Sequence, residues 1–355
     1  MHLTYAFLYY IAAGLALASA PLLFYRFGKN DVFLIKKIII FIVCFVYLIG
    51  MLRQDGVDYS GYVYSYYNDH SYIPDSGFRA LMFSFDSLGL PFEALMLLVG
   101  AVNILSLRRA AKYFAINFEP LFIFYFLHLA IVRDFSQLRV GFAIALAIFC
   151  VTSSGRPIRL IFLLLAGSMH LTSLAFIFSY EFCRWVALLK SQRKQIISIV
   201  GSLFGIYLIG SFVNHLIFVD PRIETYFAWN AENYGLPVGQ FLILLFHISI
   251  LLLACYTRES WVGDVKIRTL VFLQILGLAV FIAFANVSIF AFRLSSAVLS
   301  FYPVLLIFSL PHLRLRIKNY SISKISASIV FVLFGAVLIL RPDSIEILRA
   351  INFGH

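Results

Sequence analysis

The fold of this chain depends on residues 157–189, whose sequence is PIRLIFLLLAGSMHLTSLAFIFSYEFCRWVALL. One bilayer crossing needs about 20 apolar residues, so this run is too long for one helix and short for two. The segment Gly167–His170 interrupts the run near its middle. Whether the chain turns there decides on which side of a membrane every later loop lies.

The composition indicates a membrane protein. Hydrophobic residues make up 62% of the 355 residues and charged residues 13%, with a mean hydropathy of +0.93. Soluble domains are usually about 45–50% apolar and about 25% charged. Because no polar segment is long enough for a separate soluble domain, we expect an all-α polytopic membrane protein with a single transmembrane domain over residues 1–355.

Twelve apolar stretches have the composition of membrane-crossing helices when residues 157–189 are counted as two. They cover residues 3–25, 34–52, 88–107, 116–132, 136–152, 157–171, 172–189, 195–215, 238–256, 267–285, 289–310 and 324–340. We therefore predict about 12 transmembrane helices with both chain ends on the outer side.

The basic residues indicate the orientation. With the N-terminus outside, six loops lie inside and carry 20 of the 28 Lys and Arg residues, including every lysine. Cytoplasmic loops of membrane proteins are enriched in basic residues. This pattern requires residues 157–189 to cross twice and to turn near His170 on the outer side. A single crossing would place the basic cluster at 184–194 outside.

The eight remaining basic residues are all arginines: Arg53, Arg79, Arg133, Arg139, Arg222, Arg293, Arg341 and Arg349. The two long extracytoplasmic loops, residues 53–87 and 216–237, are otherwise acidic, with net charges of −3 and −2. A guanidinium group binds phosphate oxygens through two parallel hydrogen bonds, which an ammonium group does not. We therefore expect an anionic ligand on the outer side.

Two other kinds of partner are not expected. The net charge of +11 suggests nucleic acid, but the charges occur in short clusters between apolar runs, so we expect no nucleic-acid partner. The sequence has no HExxH motif, no clustered His, Asp and Glu at helical spacing, no P-loop and no GxGxxG. We therefore expect no metal site and no cofactor.

The first candidate site directly follows the second apolar stretch. It consists of Arg53, Asp55 and Asp58, followed by a tyrosine-rich stretch that includes Tyr59 and Tyr62. Tyrosine rings pack against sugar rings and offer a hydroxyl group, and carboxylates can act as general bases. Asp55 and Asp58 are therefore catalytic candidates, and the other three are candidates for substrate binding. The alternative is an aromatic belt at the membrane interface with solvated charges.

The second candidate site is the turn after residues 116–132, which contains Arg133, Gln137 and Arg139. Arg139 begins an apolar helix, and an ionisable residue in such a helix is a functional candidate because it is expensive to bury. We predict a catalytic role for Arg139 and substrate binding for Arg133 and Gln137. The alternative is a structural ion pair of either arginine with Asp134.

Three further candidates lie elsewhere on the predicted outer side. His170, at the turn of the interrupted run, is a candidate acid or base, with a packing role as the alternative. Arg293 lies a few residues inside an apolar stretch and is a candidate to bind the same anion, with extension to the membrane interface as the alternative. Arg222, in the second outer loop, is a candidate to bind and cover the substrate.

In their order along the chain, these motifs resemble those of the Wzy-type polysaccharide repeat-unit polymerases, particularly the EpsG-like branch. The matching features are Arg53 with Asp55-Gly56-Val57-Asp58-Tyr59, Pro74-Asp75-Ser76-Gly77-Phe78, Arg133 with Arg139, His170 with Thr172-Ser173, and Phe292-Arg293-Leu294. The resemblance covers roughly residues 50–300.

The resemblance implies a metal-independent glycosyltransferase of the bacterial inner membrane, active on the periplasmic face. It implies polymerisation of undecaprenyl-pyrophosphate-linked oligosaccharide repeat units into O-antigen or exopolysaccharide. The implied partners are these lipid-linked oligosaccharides, membrane lipid and a chain-length regulator protein.

The resemblance also implies roles for individual residues. Arg53, Arg139 and Arg293 would hold the donor pyrophosphate, whose negative charge grows as it leaves. The acceptor hydroxyl would be oriented or deprotonated by one of three residues: Asp55, Asp58 or His170.

Two alternative functions share parts of this pattern. An O-antigen ligase uses the same donor with lipid A core as acceptor, but ligases usually carry their main outer loop late in the chain, whereas the longest outer loop here is 53–87. A lipid-linked oligosaccharide flippase or other transporter needs charged residues through both leaflets and commonly has internal repeats. Here the unexplained charges lie on the outer side, and the sequence shows no repeat.

Overall fold

The computed structural model describes residues 5–20, 31–52, 59–135, 137–217, 238–285, 294–312, 316–317, 320–321, 328–333 and 335. Within these ranges the chain is helical, apart from one short antiparallel pair of strands, β1 (Arg316–Ile317) and β2 (Tyr320–Ser321). The predicted helical fold class is therefore confirmed. The number of membrane crossings stays a prediction.

The chain forms two compact units, unit 1 (Met1–Leu174 with Ile307–His355) and unit 2 (Ala175–Leu306). The helices of unit 1 include α1 (Tyr5–Ala18), α2 (Asp31–Met51), α3 (Tyr59–Tyr67), α4 (Ser76–Ser87), α5 (Phe92–Tyr113), α6 (Phe118–Phe124), α7 (Leu138–Thr152) and α8 (Arg156–Met169). Most of α9 (Thr172–Leu188) belongs to unit 2, with α10 (Gln192–Ile217), α11 (Val238–Tyr256), α12 (Val265–Ala283) and the start of α13 (Tyr302–Ser309).

Many of these helices are apolar enough for a bilayer. Among the described residues, five helical segments have the length and composition to cross one: Leu34–Met51, Phe92–Tyr113, Gln192–Phe212, Val265–Ala283 and Leu294–His312. Four shorter apolar helices are Ala6–Ala18, Phe118–Ile131, Leu138–Thr152 and Phe241–Tyr256. These helices support a membrane protein, although the two helices of the interrupted run, α8 and α9, are not among them.

The interrupted run at residues 157–189 forms two helices, as predicted. Helix α8 ends at Met169, and His170 adopts an extended conformation with φ −171° and ψ 133°. Helix α9 begins at Thr172. A side-chain nitrogen of His170, Nδ1, accepts a hydrogen bond from the Thr172 backbone N–H over 3.2 Å, so the residue that ends α8 also caps the first turn of α9.

Helix α7 forms the centre of unit 1. Of its 15 residues, 13 are buried. The side chains of α7 itself are mostly small or branched and apolar on all faces of the helix, so burial is not confined to one face. It packs against α5, α8 and a π-helix at Tyr125–Asp134 that continues α6. The first turn of α7 is thereby held firmly from several sides.

The predicted outer loop 53–87 contains two short helices, α3 and α4, each too short to cross a bilayer. Two tyrosines of α3 form hydrogen bonds with the backbone around the start of α5. The Tyr66 hydroxyl donates to the Leu90 carbonyl over 2.7 Å, and the Tyr67 hydroxyl accepts from the Phe92 N–H over 3.3 Å. Burial raises the pKa of Tyr66 to about 12, so this phenol stays protonated and donates at physiological pH.

The opposite end of α7 is capped by Arg109 of α5. The Arg109 guanidinium donates to the Thr152 hydroxyl over 3.1 Å, to the Thr152 carbonyl over 3.4 Å and to the Ser153 hydroxyl over 3.2 Å. A positive charge at a helix C-terminus also interacts favourably with the helix dipole.

We expect Arg109→Met to lower the free energy of unfolding by about 1–2 kcal/mol, because several charge-assisted hydrogen bonds are lost. The measurement is the melting temperature of the purified protein in detergent. Its neighbour Arg108 is also exposed, but its side chain forms no hydrogen bond or ion pair with any described residue, so Arg108→Met removes the same charge as a matched control and should change the melting temperature little. Equal shifts in the two variants would contradict the capping role.

Candidate functional site

Arg139, in the first turn of α7, forms the centre of a polar cluster in unit 1. Its Nη1 forms an ion pair with an Asp75 carboxylate oxygen, and its Nε donates to the Tyr62 hydroxyl over 3.3 Å. Its guanidinium carbon also lies 5.7 Å from the centre of the Tyr62 ring. The Arg139 and Asp75 side chains are 22% and 16% exposed, so the pair is mostly shielded but open to a ligand on one side.

The Nη2 group of Arg139 makes no hydrogen bond to any described residue. Its two N–H groups are thus available to a ligand, while the other side of the guanidinium is fixed by Asp75 and Tyr62. A guanidinium held in this way offers donors in one defined direction, which suits the oxygens of a phosphate.

Three elements position this cluster. Tyr62 lies on the buried face of α3, Asp75 is the residue before the first turn of α4, and Arg139 belongs to α7. Helix α4 also approaches the end of α8 very closely, since a Cβ on Gly77 would lie only 2.8 Å from the Ser168 carbonyl carbon. Glycine at position 77 therefore permits the close approach of these two backbones.

The same contact connects the arginine cluster with His170. Asp75 precedes Gly77 by two residues, and His170 follows Ser168 by two. Two residues of chain span at most about 7 Å, so Asp75 and His170 each lie within about 7 Å of the contact. Nδ1 of His170 accepts from the Thr172 N–H and lies 2.9 Å from the Thr172 hydroxyl. In a neutral imidazole whose Nδ1 accepts, the proton is on Nε2. This tautomer is assigned from the hydrogen-bond geometry.

A second polar cluster, centred on Asp134, lies beside the first turn of α7. The fully buried Asp134 carboxylate accepts from the Tyr47 hydroxyl over 2.7 Å, and the Tyr125 hydroxyl lies 2.8 and 2.7 Å from its two oxygens. The Asn103 side-chain amide donates to the Tyr47 hydroxyl over 3.2 Å. Buried polar groups need such partners to offset the loss of water.

The π-helix makes the Tyr125–Asp134 contact. In an α-helix, residues nine positions apart lie on opposite sides, because nine steps correspond to about two and a half turns. The wider turn of the π-helix brings Tyr125 and Asp134 to the same side. Short π-helical segments occur frequently at functional sites.

Gly141 lets this cluster approach α7. A Cβ at this position would overlap the Asp134 carboxylate and would lie 3.4 Å from the Asp134 Cα. Because Gly141 follows Arg139 by two residues, the two clusters share the first turn of one helix.

The sequence candidates fall into two groups. Arg139, Tyr62 and His170 belong to the arrangement described above. For the other described candidates no contact with the Arg139 pair is shown: the Tyr59 ring lies 5.9 Å from the Phe92 ring, Gln137 occupies the N-cap position of α7 without a side-chain capping bond, and Arg133 is buried near the end of the π-helix. The remaining candidates lie outside the described residues: Arg53, Asp55, Asp58, Arg222 and Arg293.

The structure corrects one pairing and adds several residues. Arg139 pairs with Asp75 rather than with Asp134, which corrects the structural alternative for this arginine. The functional candidates that sequence reasoning missed are Asp75, Asp134 and the tyrosines at 47 and 125. A polar Asn103 within an apolar stretch was a usable signal, because such residues commonly form hydrogen bonds between helices.

Comparison with known protein families gives a match over most of the chain. The EpsG family model matches residues 36–349, which is most of the chain and includes every described member of both clusters. This protein belongs to the EpsG family. No curated protein and no solved structure matches the sequence.

Membership of the EpsG family supports a polysaccharide-polymerase-like membrane protein. Within the part of the chain that the structure describes, no group of three or more His, Cys, Asp or Glu side chains is arranged to hold a metal ion. In this EpsG-family protein the described polar groups in contact with Arg139 are the Asp75 carboxylate and the Tyr62 hydroxyl.

Proposed function

We propose that this EpsG-family protein is a glycosyltransferase that polymerises undecaprenyl-pyrophosphate-linked oligosaccharide repeat units on the periplasmic face of the bacterial inner membrane. The observation that carries the proposal is the guanidinium of Arg139, fixed by Asp75 and Tyr62 with its Nη2 donors available. The basic residues of the predicted inner loops support the orientation, and the family supports polymer synthesis.

The proposed reaction transfers a growing glycan from one lipid carrier to another. An acceptor sugar hydroxyl attacks the anomeric carbon of the donor, a new carbon–oxygen bond forms, and the bond from that carbon to the pyrophosphate oxygen breaks. The hydroxyl proton passes to a base, and the carrier leaves as polyprenyl pyrophosphate. Each cycle lengthens the glycan by one repeat unit.

Arg139 stabilises the transition state of this reaction. Negative charge develops on the departing pyrophosphate, and donors that are already oriented toward it need no rearrangement as the charge appears. Asp75 and Tyr62 provide this orientation by holding Nη1 and Nε. In a partly shielded site the same charges interact more strongly than in bulk water.

The hydrogen bonds of His170 favour a donor role for this residue. Its Nδ1 accepts from Thr172, so in the neutral imidazole the proton is on Nε2. A neutral imidazole in this tautomer is not placed to accept a proton at Nε2. We therefore assign the base to a carboxylate, Asp55 or Asp58, and assign His170 to substrate positioning.

The experiment that tests the proposal compares surface polysaccharide on a gel from cells with and without this protein. A polymerase is needed only for extension, so cells that lack it should retain single capped repeat units and lose longer polymer. Cells that lack a flippase would lose the single capped unit too. Cells that lack a ligase would accumulate polymer on the lipid carrier. Either of these last two patterns would reject the polymerase assignment.

A further inference from the structure

A basic cavity lies in unit 2, away from the Arg139 cluster along the chain. It has a volume of about 390 Å³ and is lined by residues of α10, α12 and the segments that precede them. Three of its lining residues carry positive charge: Lys190, Arg258 and Arg268. The charge pattern predicts that both segments contributing them lie on the cytoplasmic side.

The positive charge of this cavity is not compensated by the described residues. Lys190, Arg258 and Arg268 form no ion pair with any described group, and the buried Nε of Arg268 donates no hydrogen bond there. Residues 184–194 and 258–268 hold seven basic residues against two acidic ones, Glu259 and Asp264. Asp264 caps α12 by accepting from two backbone N–H groups. A buried donor without a partner commonly meets a bound ion or water.

One residue in the wall of the cavity is Trp261, whose position is fixed by a hydrogen bond. The indole N–H of Trp261 donates to the Ala254 carbonyl over 2.7 Å, and the side chain is 7% exposed. Tryptophan is enriched where membrane meets water, because its ring is apolar and its N–H is polar. Trp261 lines the same cavity as the three cationic side chains, a combination of residues that suits the depth of a lipid headgroup.

An apolar track leads away from the cavity along α10. Ile196 and Val200 line the cavity, and the stripe continues at four-residue intervals through Phe204, Leu208 and Phe212. Each of the five is at least half exposed. Each step of four residues turns about 40° further around the helix, so the five side chains form an apolar ridge that winds along α10 and offers apolar surface to an acyl chain.

From these observations we infer that the cavity binds the phosphate headgroup of an anionic phospholipid, with an acyl chain along the α10 stripe. Basic pockets between helices on the cytoplasmic side of membrane proteins are suited to such headgroups. The ligand chemistry is a phosphate diester with net negative charge. The site is separate from the proposed polymerase reaction and does not depend on it.

The test measures the dissociation constant of fluorescent phosphatidylglycerol for the purified full-length protein in detergent. The pocket variant is Arg258→Gln with Arg268→Gln. The matched control is Arg193→Gln with Lys194→Gln, which removes the same charge from exposed positions outside the cavity. We expect the pocket variant to weaken binding about 30-fold and the control to weaken it less than about threefold.

Other outcomes would overturn the inference. Equal weakening in both variants would mean that general surface charge binds the lipid. Binding of phosphatidylcholine as tightly as phosphatidylglycerol would remove the anionic headgroup from the argument. Complete displacement of the lipid by millimolar inorganic phosphate would mean that the site takes free phosphate rather than lipid. Lys190→Gln alone, at an exposed position, provides the same test if the double pocket variant does not fold.

The location of the bound lipid is tested separately by tryptophan fluorescence. The chain has three tryptophans, so Trp185→Phe with Trp229→Phe leaves Trp261 as the reporter. Brominated phosphatidylglycerol should quench this tryptophan in the protein with an intact cavity and quench it much less in the pocket variant. Quenching that is the same in both would place the lipid elsewhere.

Discussion

Replacing Arg139 by lysine is expected to lower the rate of repeat-unit polymerisation by at least about 100-fold while leaving the protein folded. Lysine keeps the charge but has a single ammonium group, which cannot bind Asp75, Tyr62 and a phosphate from one planar fork. The remaining charge would pair with the Asp75 carboxylate and would no longer present donors in a fixed direction. In cells, single capped repeat units should persist while longer polymer disappears.

Arg79→Lys is the matched control for this prediction. Arg79 lies in α4, four residues after Asp75, and its side chain forms no hydrogen bond or ion pair with any described residue. The same substitution there should change the rate by less than about twofold, since no charge-assisted contact is lost. A normal ladder of polymer lengths in the Arg139→Lys and Arg139→Ala variants would show that the pyrophosphate is bound elsewhere.

Gly141→Ala is expected to have the second-largest effect. The added methyl group would overlap the Asp134 carboxylate, whose position is fixed by the hydroxyls of Tyr47 and Tyr125. Overpacking of this kind typically lowers the free energy of unfolding by about 1–3 kcal/mol. Displacement of the first turn of α7 should also move Arg139 and thereby reduce activity further than the loss of stability explains.

The control for the glycine is Gly205→Ala in α10, where an added Cβ meets no atom within 4 Å. There alanine should leave stability unchanged or raise it by up to about 1 kcal/mol, because alanine favours a helix over glycine. Melting temperatures in detergent compare the two. If the collision with Asp134 is the cause, the double variant with Asp134→Ala should be less destabilised than the sum of the single variants. Simple additivity would refute that cause.

Much of the helical framework was predictable from local composition. The stretch 34–52 becomes the apolar helix α2, because its uninterrupted apolar run at 38–49 has few other stable conformations in a bilayer. The break at His170 was predictable because the basic clusters on either side require two helices there. The need of Arg139 for a partner or a ligand was predictable as well, since a charge at the start of an apolar helix is otherwise costly to bury.

The partners of these residues were not predictable from the sequence. Asp75 is 64 positions from Arg139 along the chain, so only tertiary packing brings the two together. The contact between Tyr125 and Asp134 was hidden for a different reason. A sequence pattern is interpreted with 3.6 residues per turn, which puts the two on opposite sides of a helix, and the π-helix breaks that assumption.

The shortness of α8 has a consequence for the membrane itself. Its 14 residues span only about 21 Å, whereas the hydrocarbon core of a bilayer is about 30 Å thick. After the exposed Arg156 and Pro157 at its start, the exposed residues of α8 are all apolar: Ile158, Leu160, Ile161, Leu164 and Leu165. Lipid next to a short apolar helix compresses to match it. We expect the bilayer to be thinned beside α8, which would carry the phosphates of a lipid-linked substrate inward toward the depth of His170.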